Sequence, residues 1–380
     1  LAVTAGGILL CYLLLNVHPE EGKTLNAVML ERLPFGRGFV VVTLAAAAAL
    51  LFVAAQAGFI DGPRVMANMA LDSWLPRRFS SLSDRLTMHY GVTLMGVASI
   101  ATLIYTNGSI DALVTMYSIN VFVTFSLSML AMCRFWITRR KTQAHWKRSL
   151  LLFVIGFLLC SSILAIIVFE KFAEGGWITL VITSLVIGLC ALIKHHYRAV
   201  SRKLELLASM LSELPAIGAP AVPPEIDPHK PTAVLLVGGY GGLGIHSLLT
   251  IFKQFPDYFK QFVFVSVAVI DSGAFKGEDE IGHLKDETHN MLGKYVDLAH
   301  SYGLAATSFM SVGTEPVSEA EGLCKEIVRT FPRATFFAGK LIFQKEKWYQ
   351  RLLHNETAHA IQTRLQWEGF PVVVLPVRVR

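Results

Sequence analysis

The sequence predicts an α-helical membrane bundle followed by a soluble α/β domain. Three features predict it: long apolar stretches in the first half, a Pro-rich break near the middle, and alternating strand and helix patterns beyond it. The apolar stretches are roughly 1–17, 38–60, 90–106, 112–133, 149–169 and 176–194. Each approaches the ~20 residues an α-helix needs to cross a ~30 Å hydrocarbon core. Six spans are therefore expected within a transmembrane domain at 1–197. A connector and Pro-rich linker follow at 198–231, then an α/β domain at 232–380.

Composition agrees with that division. Hydrophobic residues make up 53% of the 380 and charged residues 16%, with a mean hydropathy of +0.50. The formal charge of +6 does not imply nucleic acid, because the cations cluster beside the apolar stretches, where they set orientation. The first residue, Leu1, stands inside an apolar run without a charged flank. That resembles neither a signal peptide nor a natural start, so the chain is expected to be the C-terminal part of a longer protein. Cys11, Cys133, Cys160 and Cys190 fall in or beside spans and Cys324 in the soluble half. Their spacing suggests neither zinc nor a disulfide framework.

The loops carry the orientation. Arg64, Arg77, Arg78 and Arg85 follow the second span. Arg134, Arg139, Arg140, Lys141, Lys147 and Arg148 follow the fourth, and Lys194, Arg198, Arg202 and Lys203 mark the end of the sixth. The alternate loops are acidic or mixed, with Glu20, Glu21 and Glu31 in the first, Asp111 in the third, and Glu170 and Glu174 in the fifth. Basic loops face the cytoplasm, so a multi-pass plasma-membrane protein with both chain ends cytoplasmic is expected. Residues 62–88 place Val65, Met66, Met69 and Leu75 at roughly helical spacing. The expectation there is an amphipathic helix at the lipid surface; the other reading is a plain basic loop.

Polar groups inside spans are costly, which makes them functional candidates. Asp61 stands at the edge of the second span with Arg64 three residues on, and a helix-ending, solvent-touching ion pair is the simple reading. In the fourth span Tyr117, Asn120 and Thr124 lie at i, i+3 and i+7, on one helix face. Their oxygens could replace a cation's hydration shell or equally bond neighbouring helices. No span carries a central Asp, Glu, Lys or Arg, so a coupling proton would need groups outside this sequence.

Ala57-Gly58-Phe59-Ile60-Asp61-Gly62-Pro63-Arg64, then Asp72-Ser73-Trp74-Leu75-Pro76-Arg77 and Asp84-Arg85, resemble the eighth-helix region of the amino acid–polyamine–organocation (APC) superfamily, in particular its KimA-type potassium transporters. Tyr117-Ser118-Ile119-Asn120-Val121-Phe122 followed by Thr124-Phe125-Ser126-Leu127-Ser128 is similar to the tenth helix of that group. The resemblance implies that the six spans are the second half of an APC/LeuT-like inverted-repeat fold, with its solute site between broken helices outside this sequence. It implies proton-coupled potassium uptake, with Tyr117 at the potassium site. Gly62 departs from the group's usual Phe. An amino acid permease of the same fold is the first alternative, since fold does not fix solute; a membrane-anchored nucleotide sensor is the second. The partners implied are the lipid bilayer, potassium or an amino acid, the missing N-terminal half and a second copy.

Beyond Pro215, Pro220, Pro223, Pro224, Pro228 and Pro231 the pattern alternates. Strands are expected at 233–237, 262–270, 305–312, 334–338 and 372–377, and helices at 245–255, 279–302, 317–330 and 355–367. This pattern makes a five-stranded parallel sheet covered on both faces, resembling the universal-stress-protein-like domain of KimA-type transporters. Gly239, Gly241 and Gly244 satisfy G-x-G-x-x-G between a strand and a helix, the setting in which amides receive phosphate. Asp271 stands where a ribose-binding acid would. A regulatory nucleotide, either a cyclic dinucleotide or an adenine nucleotide, is the cofactor class this admits; glycines that merely make a tight turn are the other reading. The late glycine signature of universal stress proteins is missing. Lys340, Lys345, Lys347, His354, Glu356 and His359 occupy that region and read as surface or interface residues. No catalytic constellation is visible, so no enzyme is expected.

Overall fold

The computed structural model describes residues 2–20, 23–83, 85–141, 146–212, 224–273, 277–343 and 357–379. Leu1, Glu21, Asp84, Pro215, Pro220, Pro223, Lys345, Lys347, His354 and Glu356, named above, lie outside the described residues. The chain divides into two compact units, Leu1–Gly62 and Pro63–Arg380.

In the first unit, α1 (Ala2–Leu14) is followed by the short α2 (Leu25–Glu31). Thr24 caps α2 by accepting the Ala27 amide at 3.3 Å, as an N-cap hydroxyl does. The two helices are tied by Tyr12 Oη donating to Asn26 Oδ1 at 2.5 Å and Arg32 Nη1 donating to the Leu15 carbonyl at 2.7 Å. Most of α3 (Gly36–Leu71) also belongs here.

The expectation that Asp61 ends the second span is corrected: α3 runs on for ten residues through Pro63. Proline inside a helix loses one backbone hydrogen bond and usually kinks or ends it. Here Pro63 is buried, and a Cβ on Gly91 would stand 2.8 Å from the Pro63 Cβ. The amphipathic surface helix expected within 62–88 is likewise corrected. Residues 63–71 complete α3, Ser73 takes a left-handed φ of 63°, and a single 3-10 turn, Arg77–Phe79, follows among the described residues before α4.

The remaining bundle helices are α4 (His89–Tyr105), α5 (Ile110–Thr138), α6 (Trp146–Glu170) and α7 (Trp177–Ser212). Ser109 caps α5. A wide turn, Phe172–Gly176, links α6 to α7, with Gly175 at φ 97° where a side chain would be strained. Where six spans were expected, four described helices are long and apolar enough to cross a membrane: α3, α5, α6 and α7 up to Leu206. Val3–Leu14 and α4 are shorter apolar helices; 17 residues of α4 rise only ~25 Å.

The sheet domain comprises β1 (Thr232–Leu236), α8 (Gly242–Gln254), β2 (Gln261–Val269), α9 (Glu278–Ser301), β3 (Ala305–Gly313), α10 (Pro316–Thr330), β4 (Ala334–Phe343), α11 (Thr357–Trp367) and β5 (Val372–Val379). The order is β3-β2-β1-β4-β5, and every pairing is parallel. Alternate strand residues feed two cores, as period-two side chains must. Leu235, Phe262, Phe264 and Phe337 pack against α8 and α9, while Val234, Val263, Val265 and Phe336 pack against α10 and α11. The winding reverses between β1 and β4, and crevices at such a switch point, beyond the strands' carboxyl ends, are where open α/β sheets bind ligands.

Candidate functional site

Two regions gather the sequence-predicted residues. The first is the seam between α5 and α7. Ile119 is fully buried there, and Asn120 Oδ1 accepts a hydrogen bond from Thr183 Oγ1 at 2.7 Å. Thr124 Oγ1 donates to the Asn120 backbone carbonyl at 2.8 Å. Tyr117 is 69% exposed and Thr124 is exposed as well. The three candidates therefore do not close round one point among the described residues. Asn120 uses its side-chain oxygen between helices, Thr124 bonds its own helix, and Tyr117 is largely exposed. Thr179, one turn before Thr183, is buried with Oγ1 lacking a partner among the described residues, and so is Ser126 Oγ. Sequence reasoning missed Thr179 and Thr183, although their i, i+4 spacing in an apolar helix was a readable signal. Asp61 and Arg64 stand three apart within α3, and each has an interaction partner.

The second region is a cavity of about 620 Å³ at the sheet's switch point, inside the ~300–1,000 Å³ range of small-molecule pockets. Its walls come from the glycine loop Gly238–Gly244, from Val265, Ser266, Val267 and Val269 of β2, and from Ala338 and Gly339 of β4. Ala320 and Ile361 add apolar surface, and Ser201, Leu204 and Glu205 of α7 stand at its edge.

The loop is shaped by Tyr295. This ring is fully buried on α9, its hydroxyl donates to the Gly239 carbonyl at 2.9 Å, and it also meets the Gly241 backbone. A Cβ on Gly244 would fall 1.9 Å from the Tyr295 hydroxyl. Gly244 thus makes room for a tyrosine, and Gly241 shares its backbone polar group with the same side chain. Gly239 and Gly241 have open space where a Cβ would lie. Burial pushes the Tyr295 phenol up to about 12, so it stays a neutral donor.

Asp271, the expected ribose acid, is not among the residues lining the cavity. It stands beyond β2, its Oδ1 accepts the Gly273 amide at 2.9 Å, and its backbone bridges Ser81. Among the described residues no Lys or Arg lines the cavity, whereas Glu205 does. Backbone amides, hydroxyls and apolar walls suit a ring with a few polar groups, and a dense cluster of phosphates would meet a carboxylate. Lys340 and His359, each next in sequence to a lining residue, pair through Nζ and Nε2 at 2.8 Å. No cluster of His, Cys, Asp and Glu among the described residues could hold a metal ion.

Long apolar helices joined to a parallel, switch-point sheet define the class: a multi-pass membrane protein with an appended α/β domain. Residues 2–173 match the amino acid permease family. The chain is 26% identical over 378 residues to the potassium transporter KimA of Bacillus subtilis (strain 168), a match covering 99% of this chain and 56% of that protein. It thus spans little more than half the length of that relative. The first match covers the helices as far as residue 173, and the second runs on through the sheet domain.

Proposed function

We propose that this chain is the second half of a proton-coupled potassium uptake transporter whose sheet domain regulates it. The observation that carries the reading is the similarity to a potassium transporter across both the helices and the sheet domain, 99% of the chain. Shared helices alone would fit any solute carried by the fold. The six apolar segments are the last six spans of an inverted-repeat carrier, with both ends of this chain in the cytoplasm and a second copy alongside. Tyr117 faces the potassium path, and Asn120 and Thr124 hold the helix that presents it. Asp61 and Arg64 are a gating pair on α3. The sheet domain, of the universal-stress-protein-like type, takes a regulatory nucleotide in the glycine-loop cavity, the base against the β2 wall and a polar group at the loop amides.

The test is rubidium uptake and low-potassium growth in a potassium-uptake-deficient bacterium carrying the whole transporter gene. Wild type is expected to rescue growth, and Tyr117→Phe is expected to lower uptake at least about tenfold, the loss of one coordinating oxygen. Membrane-expressed wild type that carries no rubidium would overturn the potassium reading. The match of residues 2–173 to the amino acid permease family favours the second reading, an amino acid permease, which the same strain would reveal by labelled amino acid uptake.

A further inference from the structure

The loop between α3 and α4 is held from two sides. On one side it grips the last helix: the Lys194 ammonium lies 4.0 Å from the centre of the Trp74 ring, and the Tyr197 hydroxyl meets the Arg77 backbone. On the other side it joins the sheet domain. The Ser272 amide donates to the Ser80 carbonyl at 3.0 Å, and Ser81 pairs with Asp271 as an isolated antiparallel bridge. Leu71, the last residue of α3, packs on Gly273 so closely that a Cβ there would stand 3.0 Å from its side chain. Pro76, Ser80 and Leu82 are buried although they lie in a basic loop, and Phe79 sets its ring edge-on to Tyr90 in the first turn of α4. Positive charges alone would leave such a loop solvated; here Arg77 and Arg78 are exposed while Pro76 before them and Ser80 and Leu82 after them are packed.

Asp271 and Ser272 follow one residue, Ile270, after β2, whose Val265, Val267 and Val269 wall the glycine-loop cavity. Whatever fills that cavity presses on the strand whose next residues hold the loop. We propose that residues 72–83 are a coupling strap, carrying displacement at the cavity wall to the ends of α3, α4 and α7. The strap transmits because it is short, has few free torsions and is fixed at both sides; a backbone bridge on the sheet side makes the link independent of side-chain chemistry there. This proposal rests on the regulatory reading of the sheet domain.

Amide hydrogen exchange tests it without a transport assay. In the full-length protein in lipid nanodiscs, Trp74→Ala cuts the α7 side of the strap. It is expected to raise exchange of the Ser272 amide at least about fivefold, since exchange reports local opening. Lys194→Met, which keeps α7 helical, is expected to act in the same direction, so a misfolded Trp74→Ala does not decide the outcome. Val267→Phe fills the cavity from its wall and stands in for a ligand; it is expected to change exchange across 74–82 while leaving α10 and β5 protected. Unchanged Ser272 exchange in Lys194→Met, or unchanged 74–82 exchange in a folded Val267→Phe, would overturn the strap. A responsive strap in a protein that carries no rubidium would sink the potassium reading and leave the strap standing.

Discussion

Tyr295 shapes the glycine loop more than any ligand needs to. Its hydroxyl spans Gly239 and Gly241 and its ring occupies the place of a Gly244 side chain. Phenylalanine at this position is expected to cost about 1–2 kcal/mol through the lost buried hydrogen bonds. The pH dependence has a definite sign. Burial raises the folded phenol from 10 to about 12, so the unfolded chain gives up this proton first. The associated stability is whole below about pH 10 and is lost as pH rises toward 12, about 2–3 kcal/mol in all. Tyr295→Phe should show a shallower fall in unfolding midpoint over that window than wild type. The buried Cys324 thiol, also pushed up to about 12, should resist maleimides at neutral pH until the domain unfolds, because the thiolate is the reactive form. In the bundle, the Thr183–Asn120 bond should give a coupling of about 0.6 kcal/mol in a double-mutant cycle with Thr183→Val and Asn120→Ala. Zero coupling in detergent unfolding would mean the bond does not hold the seam.

At the scale of elements, close approaches decide more than propensities. Pro63 lies inside α3, and Gly91 lets α4 approach that ring. Gly91→Ala is expected to lower the unfolding midpoint by an overpacking cost of about 1–3 kcal/mol, and a thermal melt in detergent would check it. The linker meets the sheet through buried Gln261. Its Nε2 donates to the Asp227 carbonyl at 2.7 Å and to Thr232 Oγ1 at 2.6 Å, and its Oε1 accepts the Asp227 amide at 3.0 Å. The strands and helices of this domain were legible in the sequence because apolar period-two runs alternate with amphipathic ones. The extension of β4 to Phe343 was not, since its last residues gain their partners only from β5, from Lys340↔Pro376 to Phe343↔Val379. The helix through Pro63 was illegible for a related reason. Local rules end a helix near Asp61-Gly62-Pro63, and the packing of Pro63 on Gly91 outweighs them.

At the scale of the whole molecule, the last bundle helix reaches the sheet domain's cavity through Ser201, Leu204 and Glu205. Any anionic ligand there meets the Glu205 carboxylate. If the cavity takes a cyclic dinucleotide, Glu205→Gln is expected to tighten its binding by roughly fivefold, a Coulomb term of about 1 kcal/mol. Calorimetric titration showing weaker or equal binding would place the phosphates elsewhere.

By itself the sequence determined that apolar helices precede a parallel α/β sheet, because hydrophobic periodicity and Pro/Gly punctuation are local properties of the chain. It also brought Gly239, Gly241 and Gly244 to one loop, since strand, turn and helix are consecutive there. What those glycines accommodate, and what Asp271 and Asn120 meet, only the tertiary structure decided. Each depends on partners distant in sequence: Tyr295 for the glycines, Ser81 for Asp271, and Thr183 for Asn120. A pattern along the chain records which residues repeat, whereas a contact requires the fold to bring two unrelated stretches to the same place.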